Sequence, residues 1–255
     1  MSNEEKLLDQ WREEANRHFA GWDFSHILET RRVQTDSFPW SYVSIILPYI
    51  RESRSLLDMG TGGGELLSLL QPFPEHTCAT EGYEPNVEVA KKRLEPLGVN
   101  VVPLEDEARL PFRENEFEVV INRHEYYEPD EVRRILAPGG SFITQQVGEG
   151  NDVAINQWLG ADLPREREWN LAFAAEELEA SGFQVVKKME TFPITRFYDV
   201  GALVYYLTAI PWTVPDFNLE KYSEALLRLH ERILQDRYLE FRQHRFLIIA
   251  ENSSL

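Results

Sequence analysis

The chain has a single cysteine, Cys78, among 255 residues. One thiol permits no disulfide and no cysteine metal cluster within the chain, which excludes the disulfide-stapled and zinc-ribbon classes. No stretch approaches the roughly 18 consecutive apolar residues of a membrane-spanning helix. The N-terminus, MSNEEKLLDQW, is charged and lacks a signal-peptide core. Arg31-Arg32 precedes no apolar stretch and is not a twin-arginine signal. Together these absences lead us to expect a soluble protein of the cytoplasm. Positive charge is also scarce: 26 Lys and Arg stand against 43 Asp and Glu, a formal net charge of −17. Such a surface repels phosphate polymers and anionic membranes, which argues against a free-standing nucleic-acid binder while leaving room for a local basic patch. His18, His26, His76, His124, His230 and His244 show no metal-ligand spacing, so no metal site is expected.

Apolar residues make up 43% of the chain, enough for a sizeable core. Leu7, Leu8, Trp11, Ala15 and Phe19 recur at helical steps. A polar break around 30–36 follows, and then a second apolar, helical segment over 42–50. From Ser53 short apolar runs alternate with helical stretches. Strands are expected at 55–58, 77–83, 99–103, 117–122 and 141–147, with helices beginning near Gly64 and Val87 and at 131–136 between them. Strands that alternate with helices imply parallel pairing and an α/β layer fold. Further on come a helix ended by Gly182, a long strand over 183–192, helices over 199–209 and 219–234, and a last strand over 245–250. The roughly 50 residues between the last two strands exceed an ordinary connection by far. A helical excursion of that length is most economically a cap over a site.

The strongest motif is Leu56-Leu57-Asp58-Met59-Gly60-Thr61-Gly62-Gly63-Gly64-Glu65, an apolar strand that runs into four glycines and a helix start. Glycines there let a backbone approach a ligand closely. The dinucleotide fingerprint G-x-G-x-x-G fails at its third glycine, where Glu65 would put a negative charge beside a pyrophosphate. The G-K-[ST] of a phosphate-binding P-loop is absent. A ligand without phosphate and with a cationic end fits better.

This segment resembles motif I of the class I S-adenosylmethionine-dependent methyltransferases, an acid followed by G-x-G-x-G, here Asp58 with Gly60, Gly62 and Gly64. The flanking sequence extends the resemblance. Glu84, in EGYEPN, lies 24 residues after Gly60 and is expected to end the second strand. The family's acid in that position holds both ribose hydroxyls, which suits a carboxylate that accepts two charge-assisted hydrogen bonds. The stretch 105–112, EDEARLPF, looks like the family's acidic segment before LPF, so Asp106 would take the adenine amino group and Glu107 would neighbour the ring. The stretch 117–122 is like the fourth strand, and 134–140, RILAPGG, matches the turn before the fifth. The resemblance implies a doubly wound, seven-stranded, mostly parallel sheet, the Rossmann-like methyltransferase fold, capped by an N-terminal helical segment (1–52) and a helical insertion at about 196–242 within the methyltransferase domain (53–255). It implies S-adenosyl-L-methionine as cofactor, with Thr61, Pro85 and Asn122 also beside it.

In this family the acceptor sits past the ends of strands four and five, under whatever the caps supply. That points to Asn122, Arg123, His124, Tyr126 and Tyr127 after the fourth strand and to Gln145 or Gln146 on the fifth; these two alternate faces, so only one can point into the site. His124 is the general-base candidate because its pKa lies near neutrality. Arg123 could bind an acceptor carboxylate. Trp22, Trp40 and Tyr42 early in the chain, and Tyr198, Tyr205, Tyr206, Trp212 and Phe217 late in it, could line a pocket for a flat or apolar acceptor. The substrate set expected from these positions is Arg123, Tyr126, Trp40, Gln146 and Trp212. The chain has Asn122-Arg123-His124-Glu125 in place of [DN]-P-P-[YF], which disfavours methylation of exocyclic amines. The expected activity is methyl transfer to a small molecule. An RNA methyltransferase, which needs a basic track, and a non-catalytic S-adenosylmethionine-binding module are the alternatives. Arg31, Arg32, Arg228, Arg232, Arg237, Arg242 and Arg245 are interleaved with acids. The sequence fixes no oligomeric state.

Overall fold

The computed structural model describes residues 2–19, 23–106, 108–163 and 169–253. Trp22 and Glu107 therefore lie outside the described residues. The chain opens with α1 (Asn3–Ala15), α2 (Ser25–Leu28), β1 (Val33–Thr35) and α3 (Tyr42–Glu52). The alternating part follows: β2 (Ser55–Met59), α4 (Glu65–Ser68), β3 (His76–Glu81), α5 (Glu84–Leu94), β4 (Asn100–Pro103), β5 (Phe117–Arg123), α6 (Pro129–Ile135) and β6 (Leu136–Val147). Then come α7 (Val153–Leu159), α8 (Leu171–Ala180), β7 (Phe183–Thr191), β8 (Ile194–Phe197), α9 (Val200–Ala209), α10 (Leu219–Asp236), β9 (Leu239–Arg242) and β10 (Arg245–Asn252).

Seven strands form one sheet in the order β4-β3-β2-β5-β6-β10-β7. The first five pair in parallel, and β10 runs antiparallel to both β6 and β7. The expected doubly wound, mostly parallel sheet is therefore present. Strand β2 explains its own position. All five of its residues are buried, as a central parallel strand covered on both faces requires. Successive residues feed opposite cores. Leu56 packs with Ile46 and Ile50 of α3 and with Ile121, Ile143 and Leu247. Leu57 packs on the other face with Val120, Phe142, Phe246 and Leu178 of α8. The chain winds outward from β2 in both directions, so the strand order reverses between β2 and β5. Ligand sites in such sheets open above the carboxyl ends of the strands at that point.

A third core lies outside this sheet. Trp11 of α1, Ile155 of α7, Leu203 of α9 and Leu226 and Leu229 of α10 bury one another together with Phe197, Leu239 and Phe241. The last three belong to a second sheet, three antiparallel strands in the order β1-β8-β9. The polar break at 30–36 thus contains a strand, and the insertion at 196–242 begins and ends in strands. Arg32, beside β1, clasps this unit. Its guanidinium grips Asp199 through both carboxylate oxygens, at 2.6 and 2.8 Å, and Glu14 of α1 at 2.7 Å. No helix among the described residues is long and apolar enough to cross a membrane.

Candidate active site

The turn from β2 to α4 is built by glycine where no other residue fits. Gly60 has φ +66°, and a Cβ there would stand 2.5 Å from the Glu125 side chain. Gly64, the N-cap of α4, has φ +77°, and its Cβ would meet Leu94 at 2.7 Å. A side chain at either place would be both strained and obstructed. Asp58, at the end of β2, is buried, and its Oδ2 accepts a hydrogen bond from Thr61 Oγ1 at 2.8 Å. Burial pushes the Asp58 carboxyl up to about 7, against the opposing pull of Thr61 and Arg123 and with a further push from Glu81. Glu65 forms an ion pair with Arg93 of α5, so its charge is matched within the fold.

The neighbouring strand ends at Glu81. The sequence led us to expect the strand to run to 83 with Glu84 at its end. Instead, Tyr83 is the N-cap of α5, and Glu84 and Pro85 are exposed in its first turn, where proline is preorganised for a helix start. Glu81 is the buried acid at the carboxyl end of β3. Its Oε2 accepts from the Gly62 backbone N–H at 2.7 Å and its Oε1 from Tyr83 N–H at 2.8 Å. It thereby ties the glycine loop to the next strand. Asp106 lies exposed in the loop after β4, with its Oδ1 accepting from Ala108 N–H at 3.0 Å.

A narrow cavity of about 10 Å³ opens between Met59, Gly60, Thr80, Gly82, Leu104, Glu125 and Tyr126, room for about one water molecule. Glu125 and Tyr126, from the segment between β5 and α6, close it from above. That segment enters through His124 in a left-handed conformation, φ +65°, uncommon for a residue with a Cβ. Beneath it, Asn122 is fully buried. Asn122 Oδ1 accepts from Thr144 Oγ1 at 2.9 Å and from Gln146 Nε2 at 2.7 Å, and Gln146 Nε2 also donates to the Glu125 carbonyl at 3.0 Å. Asn122 Nδ2 is sealed inside with no partner. Gln146 therefore braces the segment from below, its amide N–H₂ held by Asn122, Thr144 and the Glu125 carbonyl.

Gln145, one residue back, points to the opposite face. Its Oε1 accepts from Trp40 Nε1 at 2.9 Å, which leaves its amide N–H₂ toward His124 Nε2 at 3.2 Å. The imidazole must accept there, so Nε2 is unprotonated and the ring proton sits on Nδ1. Desolvation, with Arg245 and Arg123 nearby, drives the His124 pKa well below its usual value. Trp40, Gln145, His124 and Arg123 thus gather at one place. Tyr126 is half exposed at the cavity mouth, with its hydroxyl on the Glu128 carboxylate. Trp212 is 62% exposed in the stretch between α9 and α10. Glu81 is the residue that sequence reasoning passed over, three residues from the acid it favoured. Of the two glutamines it weighed, Gln145 is the one that meets Trp40 and His124, whereas it favoured Gln146.

Residues 57–144 match the model of a family described as a methyltransferase domain. This part of the chain is a methyltransferase domain. Its solved structural relatives are distant. A candidate methyltransferase from Bacillus halodurans is 19% identical over 84% of this chain and 100% of its own, with a TM-score of 0.61. The [4+2]-cyclase SpnF is 16% identical over 98% of this chain and 96% of its own, at 0.55. A candidate methyltransferase from Haloferax volcanii, solved with the Trm112 methyltransferase activator, is 15% identical over 100% of this chain and 99% of its own, at 0.53. At these identities the likeness establishes the fold, and the cyclase is a reminder that one fold hosts more than one chemistry. No curated protein sequence matches the chain.

Proposed function

We propose that the chain transfers a methyl group from S-adenosylmethionine to a small-molecule acceptor held over the carboxyl ends of β5, β6 and β10. The observation that carries this reading is the tie between Glu81 and the glycine loop. A buried carboxylate at the end of β3 grips the N–H of Gly62, beside a turn in which a Cβ at Gly60 would fill the ligand approach. An acid accepting from paired hydroxyls, a backbone without side chains and no phosphate-binding lysine suit a ribose attached to a sulfonium, and not a nucleotide phosphate. When bound, S-adenosylmethionine supplies an electrophilic methyl group on a positively charged sulfur.

The chain's own residues divide the remaining work. Glu81 receives the ribose hydroxyls, and Glu84 and Pro85 begin α5 beside it. Asp58 and Thr61 fix the loop that carries Gly60, Gly62 and Gly64. Asp106 lies in the loop after β4, on the adenine side. Asn122 and Gln146 hold the β5–α6 segment, which must move outward, since the cavity it covers has room for about one water. Trp40, Gln145 and His124 form the platform for the acceptor. His124 stays neutral there, a hydrogen-bonding group and a weak base. The segments 1–52 and 196–242 serve as caps, the first bringing Trp40 to the site. A small acceptor is favoured over RNA by the net charge of −17 and because several arginines outside the site are already paired with acids: Arg228 with Glu224, Arg232 with Asp236 and Arg196 with Asp36 and Glu240.

Calorimetric titration with S-adenosylhomocysteine tests the reading. The wild-type chain should bind it. Glu81→Gln should weaken binding about tenfold or more, the worth of a charge-assisted hydrogen bond, while Glu84→Gln leaves it within about twofold. Absence of binding to the wild type would sink the proposal.

A further inference from the structure

The acceptor face of the sheet carries two guanidinium groups with no ion-pair partner among the described residues, in a chain with a net charge of −17. Strand alternation puts them together. Ile121, Ile143 and Leu247 face α3 in one core. Two residues along each strand toward the carboxyl edge, the same face presents Arg123 on β5, Gln145 on β6 and Arg245 on β10. The register sets their levels: Arg123 and Leu247 both lie beside Gln145, and Arg245 lies beside Val147, two residues further toward the carboxyl edge. β5 and β10 flank β6, so the two arginines rise from backbones about 12 Å apart, with Gln145 on the strand between them.

Their surroundings are unequal. Arg123 is exposed, and no described side chain pairs with it. Arg245 is only 9% exposed. One of its terminal nitrogens, Nη1, donates to the Asn151 side chain and to the His244 carbonyl at 2.8 Å. Its Nε and Nη2 donate to no described group, yet they are not among the polar atoms sealed in the interior without partners, so solvent reaches them. Two buried acids attract these groups without reaching ion-pair distance. Asp152 acts on Arg245; its Oδ2 accepts from Tyr206 at 3.0 Å, its Oδ1 has no partner among the described residues, and burial raises its carboxyl to about 6. Asp58, whose Oδ2 accepts from Thr61, acts on Arg123. A guanidinium that is nine-tenths buried, makes no ion pair with a described residue and keeps its planar fork open is costly unless something anionic meets it.

We propose that the acceptor is an organic anion whose carboxylate is received between Arg245 and Arg123, above the Gln145–His124 platform. This rests on the methyl-transfer reading of the same site. The burial of Arg245 favours a small carboxylate over the phosphates of a polymer. His124, kept neutral by burial and by both arginines, adds no competing positive charge and donates through Nδ1.

Thermal-shift titrations of the whole chain with matched pairs of probes test the inference, with and without saturating S-adenosylhomocysteine. The pairs are benzoate and benzamide, phenylacetate and phenylacetamide, and hexanoate and hexanamide. At least one carboxylate should raise the melting temperature and bind about tenfold more tightly than its amide. Arg123→Gln should remove that preference. Arg245→Lys, which keeps the charge and loses the fork, should reduce it; Arg123 is exposed, so the first variant reads the site even if changes at Arg245 disturb folding. If no carboxylate outperforms its amide, or if Arg123→Gln keeps the preference, the inference is overturned. So too if a short RNA oligonucleotide displaces the carboxylate at equal charge concentration. Loss of S-adenosylhomocysteine binding in the wild type would instead strike the methyl-transfer reading, since the arms without it still report on the two arginines.

Discussion

Asp58 is a carboxylic acid held in the interior at the hinge of the glycine loop, and its burial has a measurable consequence. Burial pushes its pKa from 3.8 to about 7. A group whose folded pKa is raised contributes stability that is fully present below the unfolded pKa and is lost as pH rises through the folded one. The wild type should therefore lose stability relative to Asp58→Asn between about pH 4 and pH 7, by up to about 4 kcal/mol. The asparagine can still accept from Thr61 and carries no charge. Urea unfolding of both chains at several pH values measures the difference. A gap that does not change with pH would contradict the account. The same residue scale shows what the sequence could and could not disclose. Asp58 and the glycines were legible because a turn that forbids side chains leaves its mark in residue type. Glu81 was not. TEGYEP offers two acids three residues apart, and the end of a strand depends on where its hydrogen bonds to β2 and β4 stop. Gln145 and Gln146 pose the same difficulty, since which of two neighbours faces the site is a matter of register.

At the scale of elements, the strands and helices between 53 and 147 follow from local apolar runs, and each was legible for that reason. The β1-β8-β9 sheet was not. Its strands have three or four residues, and Val33 pairs with Phe197 across more than half the chain. No local periodicity announces such a pairing, and the flanking helices dominate the pattern. The unit around it depends on Arg32, which links α1, β1 and the N-cap of α9. Burial raises the Glu14 carboxyl, and hydrogen bonds from His26 and Arg32 more than offset it, holding the group below the usual range. Arg32→Met should leave Glu14 and Asp199 without their shared cation and cost about 1–3 kcal/mol, a figure reduced from that of a fully buried pair because these side chains are partly exposed. The sign with pH is the reverse of that for Asp58. A depressed folded pKa contributes stability above the unfolded value and loses it as pH falls, so the deficit of Arg32→Met should narrow below about pH 4.5. Chemical denaturation at pH 7 and pH 3.5 checks both the size and the narrowing.

Over the whole molecule, charge is distributed with a purpose that composition alone does not reveal. Acids outnumber bases 43 to 26, and α10 carries its arginines beside acids one turn away, Arg228 with Glu224 and Arg232 with Asp236. Arg196 between β1 and β9 is matched by Asp36 and Glu240. Polyanion binding draws its affinity from cations that neutralise successive phosphates and release their counterions. Cations already matched by carboxylates release little, and the net field opposes approach. Arg123 and Arg245, neither of them in an ion pair among the described residues, share the face above Gln145, and Arg245 is nearly buried, which suits one small anion better than a strand of RNA. The chain should therefore show no retention of ribosomal RNA in filter binding even at low salt, where electrostatic attraction is strongest. In cell extract supplied with methyl-labelled S-adenosylmethionine, label should enter the small-metabolite fraction and bypass RNA. Label in ribosomal RNA above that of a Glu81→Gln control would show that a polymer reaches the site despite the opposing charge, and the small-molecule reading would have to give way.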